Sequence, residues 1–334
     1  MPELLYLTQS GPTLPSVRFR VLPFVAAARE RGLDAAWRRY PKTALARAGF
    51  LATLPKTPIV VLQKKLVSRA ELALLRFRSG RLIFDFDDAL WAAHPNQGAC
   101  GGVANERDLR RLLTVCSGVD TVIAGNAFLA DKVREASRRV EILPTPLDTD
   151  LYVPGASRPG GRQAVVGWMG TSCNLFFLPP LFEALASLAG SVRLSVISDA
   201  DYPLPAGFEG VSRRWSPEDE IAQLQAMDIG LMPLTDDEYT RGKCGFKLLQ
   251  YMACGAVPVA SDLGFNREIV THGRDGFLAQ TPEDFAQYVG LLARDPDLRR
   301  EMAARARRTV EDRFSLAMAA TTLWDILGCD KSAS

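Results

Sequence analysis

Short apolar runs alternate with longer mixed stretches along this chain, and the pattern is played twice. Leu4–Leu7, Leu33–Trp37, Ile59–Leu62, Leu82–Phe86, Thr121–Ala124 and Val140–Leu143 are strand-length runs. Helical stretches separate them, among them Leu66–Arg78, which Ser68 opens, and Arg107–Cys116; Asn126 caps a further one. Strands separated by helices call for a parallel, doubly wound sheet, because parallel neighbours need a crossover long enough to hold a helix. A Pro/Gly-rich boundary at Pro144–Asp148 and 155–161 then interrupts the chain. Beyond it the alternation restarts with Val165–Met169, a helix through Leu188, and strands at Val192–Ile197, Val211–Trp215, Ile229–Pro233 and Ala256–Ala260. The expected fold class is therefore α/β, with two Rossmann-like doubly wound parallel-sheet domains, 1–155 and 162–312. At 334 residues the chain is long enough for both.

Composition narrows the function classes. With 47% hydrophobic and 23% charged residues the chain is an ordinary globular one. No apolar run approaches the roughly 18 residues of a membrane span, and Met1–Leu4 opens a strand, not a signal peptide, so a cytoplasmic location is expected. Six cysteines (100, 116, 173, 244, 254 and 329) lack C-x-x-C spacing and read as reduced thiols. The net charge is only +2, yet Arg29–Arg81 holds thirteen Lys/Arg against Glu30, Asp34 and Glu71, a local +10. Such a basic half seeks an anionic partner: an anionic membrane surface first, an acidic glycan second, and no nucleic acid, since base-reading motifs are absent. Trp37, Phe50 and Leu51 sit among these charges and read equally as residues that insert into a lipid surface or as core.

The densest chemistry lies in Arg241–Leu278, RGKCGFKLLQYMACGAVPVASDLGFNREIVTHGRDGFL. Gly242 and Gly245 allow a loop to bring its amides near an anion, and a helix begins at Phe246. Lys243 and Lys247 stand at that helix start, where cations are disfavoured unless a negative group is bound. A plain helix–strand unit explains the apolar residues but not the paired lysines, so a phosphate is the expected ligand. Gly170-Thr171 follows a strand and offers a second phosphate turn. Gly11 ends the first strand, and Ser16 caps a helix to Arg31 that puts Arg18 and Arg20 in its first turns. Asp85, Asp87 and Asp88 close the Leu82–Phe86 strand, with His94 just beyond. Read as D-x-D they resemble the manganese motif of the GT-A glycosyltransferase fold, a reading that leaves Arg241–Leu278 unexplained; Asp88 can equally cap a helix over 89–92. Trp215 serves as core or as a stacking platform.

The string FKLLQYMACGAVPVAS, followed by Asn266, Glu268-Ile269-Val270 and Gly273-x-x-Gly276-Phe277-Leu278, resembles the donor-site signature of family 4 glycosyltransferases, which have the GT-B fold with an interdomain cleft. The likeness covers about forty residues closely. It implies that the helix at 313–330 crosses back to the first domain, that Gly11 and Arg18 face the cleft, and that Gly170, Thr171, Lys243, Gly245, Phe246, Lys247, Gln250 and Glu268 bind the donor. Asp87 falls near the position where relatives carry a His that touches the donor sugar, so Asp87, Asp88, His94 and Lys247 are the expected catalytic residues. The family's E-x7-E pair falls on Gly242 and Gln250, so Gln250 is left to hold the ribose as an amide. Relatives also carry Arg and Lys after the Val165–Met169 strand, where Asn174 and Phe176 stand here.

The implied activity is retaining transfer of a sugar from a nucleotide-diphosphate sugar to a glycan or lipid-linked acceptor, with no metal and no separate cofactor. The alternatives are a GT-B nucleotide-sugar epimerase and a non-catalytic nucleotide-sugar binder.

Overall fold

A computed structural model of the chain describes residues 2–98, 101–156 and 163–328. Two compact units make it up. The first holds the chain up to Pro146, the tripeptide Gly242–Cys244 and the chain from Leu316 onward; the second holds Leu147–Arg241 and Gly245–Ser315. The chain passes between units at 146/147 and 315/316, near the 155 and 313 suggested by the sequence pattern, and returns briefly to the first unit for Gly242–Cys244; the Pro/Gly-rich stretch 155–161 lies mostly outside the described residues.

Among the described residues, twelve strands form two parallel six-stranded sheets. In the first unit β1 (Leu4–Thr8), β2 (Ala35–Arg39), β3 (Thr57–Gln63), β4 (Ser79–Phe86), β5 (Thr121–Ala124) and β6 (Val140–Ile142) take the order β2-β1-β3-β4-β5-β6. Every pairing is parallel. β1 and the carboxyl-terminal part of β4 are buried throughout, as strands covered on both faces must be. The register aligns Thr8 with Gln63 and Gln63 with Asp85, so the carboxyl ends of β1, β3 and β4 lie side by side. Helices Leu22–Glu30 and Leu316–Leu327 cover one face through Phe24, Val25, Leu323 and Trp324, which pack on Leu4, Tyr6, Val61 and Ile83. Arg81 donates to Leu327 O at 2.6 Å and Ile326 O at 3.0 Å, placing a cation at the carboxyl end of that last helix, where its dipole favours one.

The second unit repeats the plan with β7 (Ala164–Met169), β8 (Val192–Ser198), β9 (Glu209–Arg214), β10 (Ile229–Met232), β11 (Val257–Ser261) and β12 (Phe277–Ala279), ordered β12-β11-β10-β7-β8-β9 and all parallel. Val166, Trp168, Leu194, Leu231 and Val259 of the sheet meet Leu181, Leu185, Val289 and Leu292 of the helices in one core. Both sheets are thus what the alternating pattern requires.

Three local expectations differ from the structure. The helix expected from Ser16 to Arg31 is two helices, Pro15–Arg18 and Leu22–Glu30, with Leu14 as the first N-cap in place of Ser16. Pro23 lacks an N–H and its ring excludes the carbonyl four residues earlier, so the helix has to restart. For the same reason Pro179 and Pro180 interrupt the segment expected to run through Leu188, so that a 3-10 turn (Ser172–Phe177) precedes the helix Leu178–Ala184; a second 3-10 turn (Leu185–Leu188) follows it. Finally, Asp88 caps no helix, because Leu90 and Trp91 form a turn and Ala92 an antiparallel bridge with Ala104.

Candidate functional site

At the carboxyl ends of β3 and β4 the first unit gathers charged groups of both signs. Asp85 is held by Arg20: the guanidinium Nε donates to both carboxylate oxygens at 3.0 and 2.9 Å, and its NH2 reaches Oδ1 at 2.8 Å. Arg20 also donates to Leu143 O at 2.6 Å. Its side chain is 1% exposed and that of Asp85 6%, so the pair is internal. Burial opposes a charge on Arg20, but Asp85 more than compensates and keeps the guanidinium charged. Arg20, expected to seek an anion at a helix start, therefore has its anion inside the protein, and Asp85 is unavailable as one arm of a D-x-D cation site.

Asp87 and Asp88 share Lys64, which lies 3.0 Å from Asp87 and also pairs with Asp88. Burial would lower the Lys64 pKa, yet the two carboxylates raise it above its usual value. For Asp88 burial works against ionisation, but Lys64 and then Lys243 hold its carboxyl below the ordinary range. Sequence reasoning missed Lys64. It sits one residue past β3 with φ +59°, a conformation non-glycine residues rarely take, and no local sequence signal marks that turn.

Lys243 sits with this cluster through the tripeptide Gly242–Cys244. The side chain of Asn126, which caps the helix Ala127–Val133 as expected, donates to Gly242 O at 3.3 Å and Lys243 O at 3.1 Å. The Cys244 thiol donates to Asp87 O at 3.3 Å, and burial raises its pKa well above the usual value. A Cβ at Gly242 would stand 2.7 Å from Ala89 Cβ and 2.9 Å from Ala89 N. Gly242 thus serves close protein packing, not approach to a ligand, and a Glu at this position would not fit without moving backbone. His94 is half-buried and accepts from Asn96 N at 3.1 Å, Arg18 lies 4.7 Å over the Phe19 ring, and Gly11 O accepts from Leu14 N at 3.3 Å.

In the second unit the helix Phe246–Ala253 starts at Gly245, which is left-handed (φ +60°, ψ 18°) and has no room for a Cβ beside Ile269. Lys247 in its first turn lies 4.5 Å over the Trp168 ring, and a Cβ on Gly170 would stand 2.5 Å from its ammonium. The structure therefore brings together Gly170, Lys247 and the buried Trp168. In the sequence Trp168 is marked only as part of the strand-length run Val165–Met169. The Gly170-Thr171 turn is less open than expected: Gly170 N donates to Ile197 O at 3.0 Å, and Ser172 N and Oγ both donate to Asp199. A carboxylate thus occupies part of the turn where phosphate oxygens were expected. Thr171 Oγ1 accepts from Asn174 Nδ2 at 2.8 Å. Glu268 is exposed on the short helix Asn266–Ile269, and its main-chain oxygen accepts from Arg313 at 2.8 Å.

Gln250 has a partner inside the second unit. It is 3% exposed, and its Nε2 donates to Glu220 Oε1 at 3.1 Å. Glu220, itself buried, also takes the Tyr152 hydroxyl and, at 2.6 Å, the Trp215 indole N–H. The amide implied for ribose is engaged in this internal network, and Trp215 is half-buried and tied to it. Gln250→Glu would set a second carboxylate against Glu220. We expect a loss of about 1–3 kcal/mol of stability at pH 7, from a buried group left without a donor beside a like charge. The introduced carboxyl would have a raised folded-state pKa, so the deficit should grow as pH rises above the unfolded value of about 4.3 and shrink below it. Thermal melts of both proteins at pH 4 and pH 7 check this; equal melting temperatures at pH 7 would refute it.

Among the described residues no three His, Cys, Asp or Glu side chains converge as a metal site. A cavity of ≈ 440 Å³ opens between β8, β9 and the helix Glu220–Gln225, lined by Arg193, Ser195, Arg213 and Gln223 among others; none of the expected site residues lines it.

Residues 180–295 match the family model described as glycosyl transferases group 1. N-acetyl-alpha-D-glucosaminyl L-malate synthase of Bacillus anthracis is 30% identical over 121 residues, 34% of this chain and 31% of that protein, so the match spans about a third of the relative's length. Among solved structures, HepE of Anabaena in complex with UDP-glucose superposes with a TM-score of 0.71 at 16% identity, covering 98% of this chain and 100% of that one. Sucrose-phosphate synthase from Thermosynechococcus elongatus gives 0.73 at 15% identity, covering 99% and 100%. A glycosyltransferase from Rickettsia africae gives 0.72 at 13%, covering 99% of each chain. The chain has the GT-B fold, and its 180–295 segment carries the group 1 glycosyltransferase pattern.

Proposed function

We propose that the protein is a glycosyltransferase that moves a sugar from a nucleotide-diphosphate sugar to a glycan or lipid-linked acceptor, with retention and without a metal, in cell-envelope or exopolysaccharide synthesis. The observation that carries this reading is Lys247, fixed over Trp168 and against Gly170 in the first turn of Phe246–Ala253. An ammonium held there by an aromatic face meets the negative charge that develops on a departing diphosphate, and the amides of the helix start add to it. In the first unit, against the effect of burial, Lys64 and then Lys243 hold the Asp88 carboxyl below its ordinary range, and Asp87 lies 3.0 Å from the same Lys64; the two side chains orient an acceptor hydroxyl as hydrogen-bond acceptors. HepE has been crystallised with UDP and UDP-glucose, which supports a uridine nucleotide as the first donor to try.

The test is incubation with a panel of UDP-, GDP- and ADP-sugars, alone and with glycan and lipid extracts, followed by mass spectrometry. Slow donor hydrolysis alone and a sugar-extended product with extract are expected. A changed sugar on the nucleotide would indicate an epimerase. Binding of a sugar nucleotide with no turnover in either arm would indicate the non-catalytic binder that the substitutions at Gly242 and Gln250 recommend.

A further inference from the structure

The basic segment of the first unit presents an apolar surface that its charge count alone does not reveal. Helices Ala44–Thr53 and Arg69–Arg78 run side by side, joined by Arg47 Nε to Glu71 Oε1 at 2.6 Å and by Arg78 NH2 to Ala52 O at 2.8 Å. Water-facing helices normally turn charged residues outward. These two do the reverse: positions 45, 48, 49 and 52 of one helix and 70, 73, 74 and 77 of the other are exposed at helical spacing, and all eight are Leu, Ala, Gly or Phe. Leu45 is 86% exposed, Phe77 67% and Leu74 45%. Cations frame the patch: Lys56 Nζ lies 5.2 Å and Arg78 5.8 Å from the Phe77 ring, with exposed Lys42 and Arg69 at the amino ends. The one acidic residue of the two helices, Glu71, is turned to Arg47 and to its own helix cap.

The residues that the sequence offers for insertion do not form this patch. Leu51 is buried, Phe50 packs edge-on against Tyr40, and Trp37 packs against the core of the first sheet.

We infer that the outward faces of these two helices, with Leu45, Leu74 and Phe77 as anchors and Lys42, Lys56, Arg69 and Arg78 as the surrounding cations, dock on an anionic membrane surface. An exposed apolar patch with a basic rim matches a lipid interface, where the apolar side chains enter the acyl boundary and the cations meet headgroup phosphates. A second copy of the chain fits less well, because it would bring two +10 segments face to face. The surface stands independently of the transfer reaction, and its assay contains no sugar nucleotide.

The test uses the full chain, sedimented with vesicles of phosphatidylcholine containing 30% phosphatidylglycerol and with pure phosphatidylcholine, at low salt and in 0.5 M NaCl. The wild type is expected in the pellet with anionic vesicles at low salt, and in the supernatant with neutral vesicles and at high salt, where charges are screened beyond about 4 Å. Leu45→Glu/Phe77→Glu should weaken partitioning at least tenfold, and Lys56→Ser/Arg69→Ser about as much, while circular dichroism and melting temperature stay unchanged because the positions are exposed. Wild type that stays in the supernatant with anionic vesicles overturns the inference, as does undiminished binding by both double variants. A dimer seen in solution without lipid and broken by Leu45→Glu/Phe77→Glu would also overturn it, assigning the face to self-association.

Discussion

Replacing Arg20 by leucine is expected to destabilise the protein by about 3–5 kcal/mol, because it leaves the Asp85 carboxylate buried without its partner. The estimate sits at the high end for one residue because the pair is almost fully enclosed and Arg20 also satisfies Leu143 O. A screened surface pair would be worth under about 1 kcal/mol. For a unit of this size the loss corresponds to a drop of about 6–20 °C in melting temperature. Arg20→Leu/Asp85→Leu should recover much of it, since removing both charges of a buried pair costs far less than removing one. A double variant no more stable than the single one would show that Arg20 acts through packing alone.

Arg20 also shows where sequence reading succeeds and where it stops. The alternation of strand and helix fixes a parallel sheet because few other arrangements bury such runs, and both sheets follow it. Caps with a local chemical signature are legible too: Ser68 forms a capping box with Glu71, and Asn126 caps its helix. What is not legible is which partner a charge will find across the fold. Arg20 and Asp85 are 65 residues apart, and nothing near either names the other. Gln250 meets Glu220 over 30 residues, and Lys64 meets Asp87 and Asp88 through a turn that no motif marks. A glycine is ambiguous in the same way. Gly245 is required by its left-handed backbone, which a helix start can suggest, whereas Gly242 is required by Ala89, which only the folded chain supplies.

The sharpest functional consequence concerns Lys247. If it stabilises the departing diphosphate, Lys247→Met, which keeps much of the apolar stem and removes the charge, should lower kcat/KM for the sugar nucleotide about 100-fold, or about 2.7 kcal/mol. A single charge-assisted contact made equally to bound donor and transition state would cost about 1.5–3 kcal/mol and appear mainly in KM. A loss concentrated in kcat therefore places the contact at the developing charge, and a loss confined to KM places it on the ground-state phosphate. Removing the ammonium from the Trp168 face also sacrifices about 0.5–1 kcal/mol of cation–π attraction, which a melting curve reads separately. Lys247→Arg, which keeps the charge but not the compact ammonium that fits against Gly170, should fall between the two. Unchanged kcat/KM in Lys247→Met, with the fold intact, would remove this residue from the reaction and with it the observation on which the proposed transfer chemistry chiefly rests.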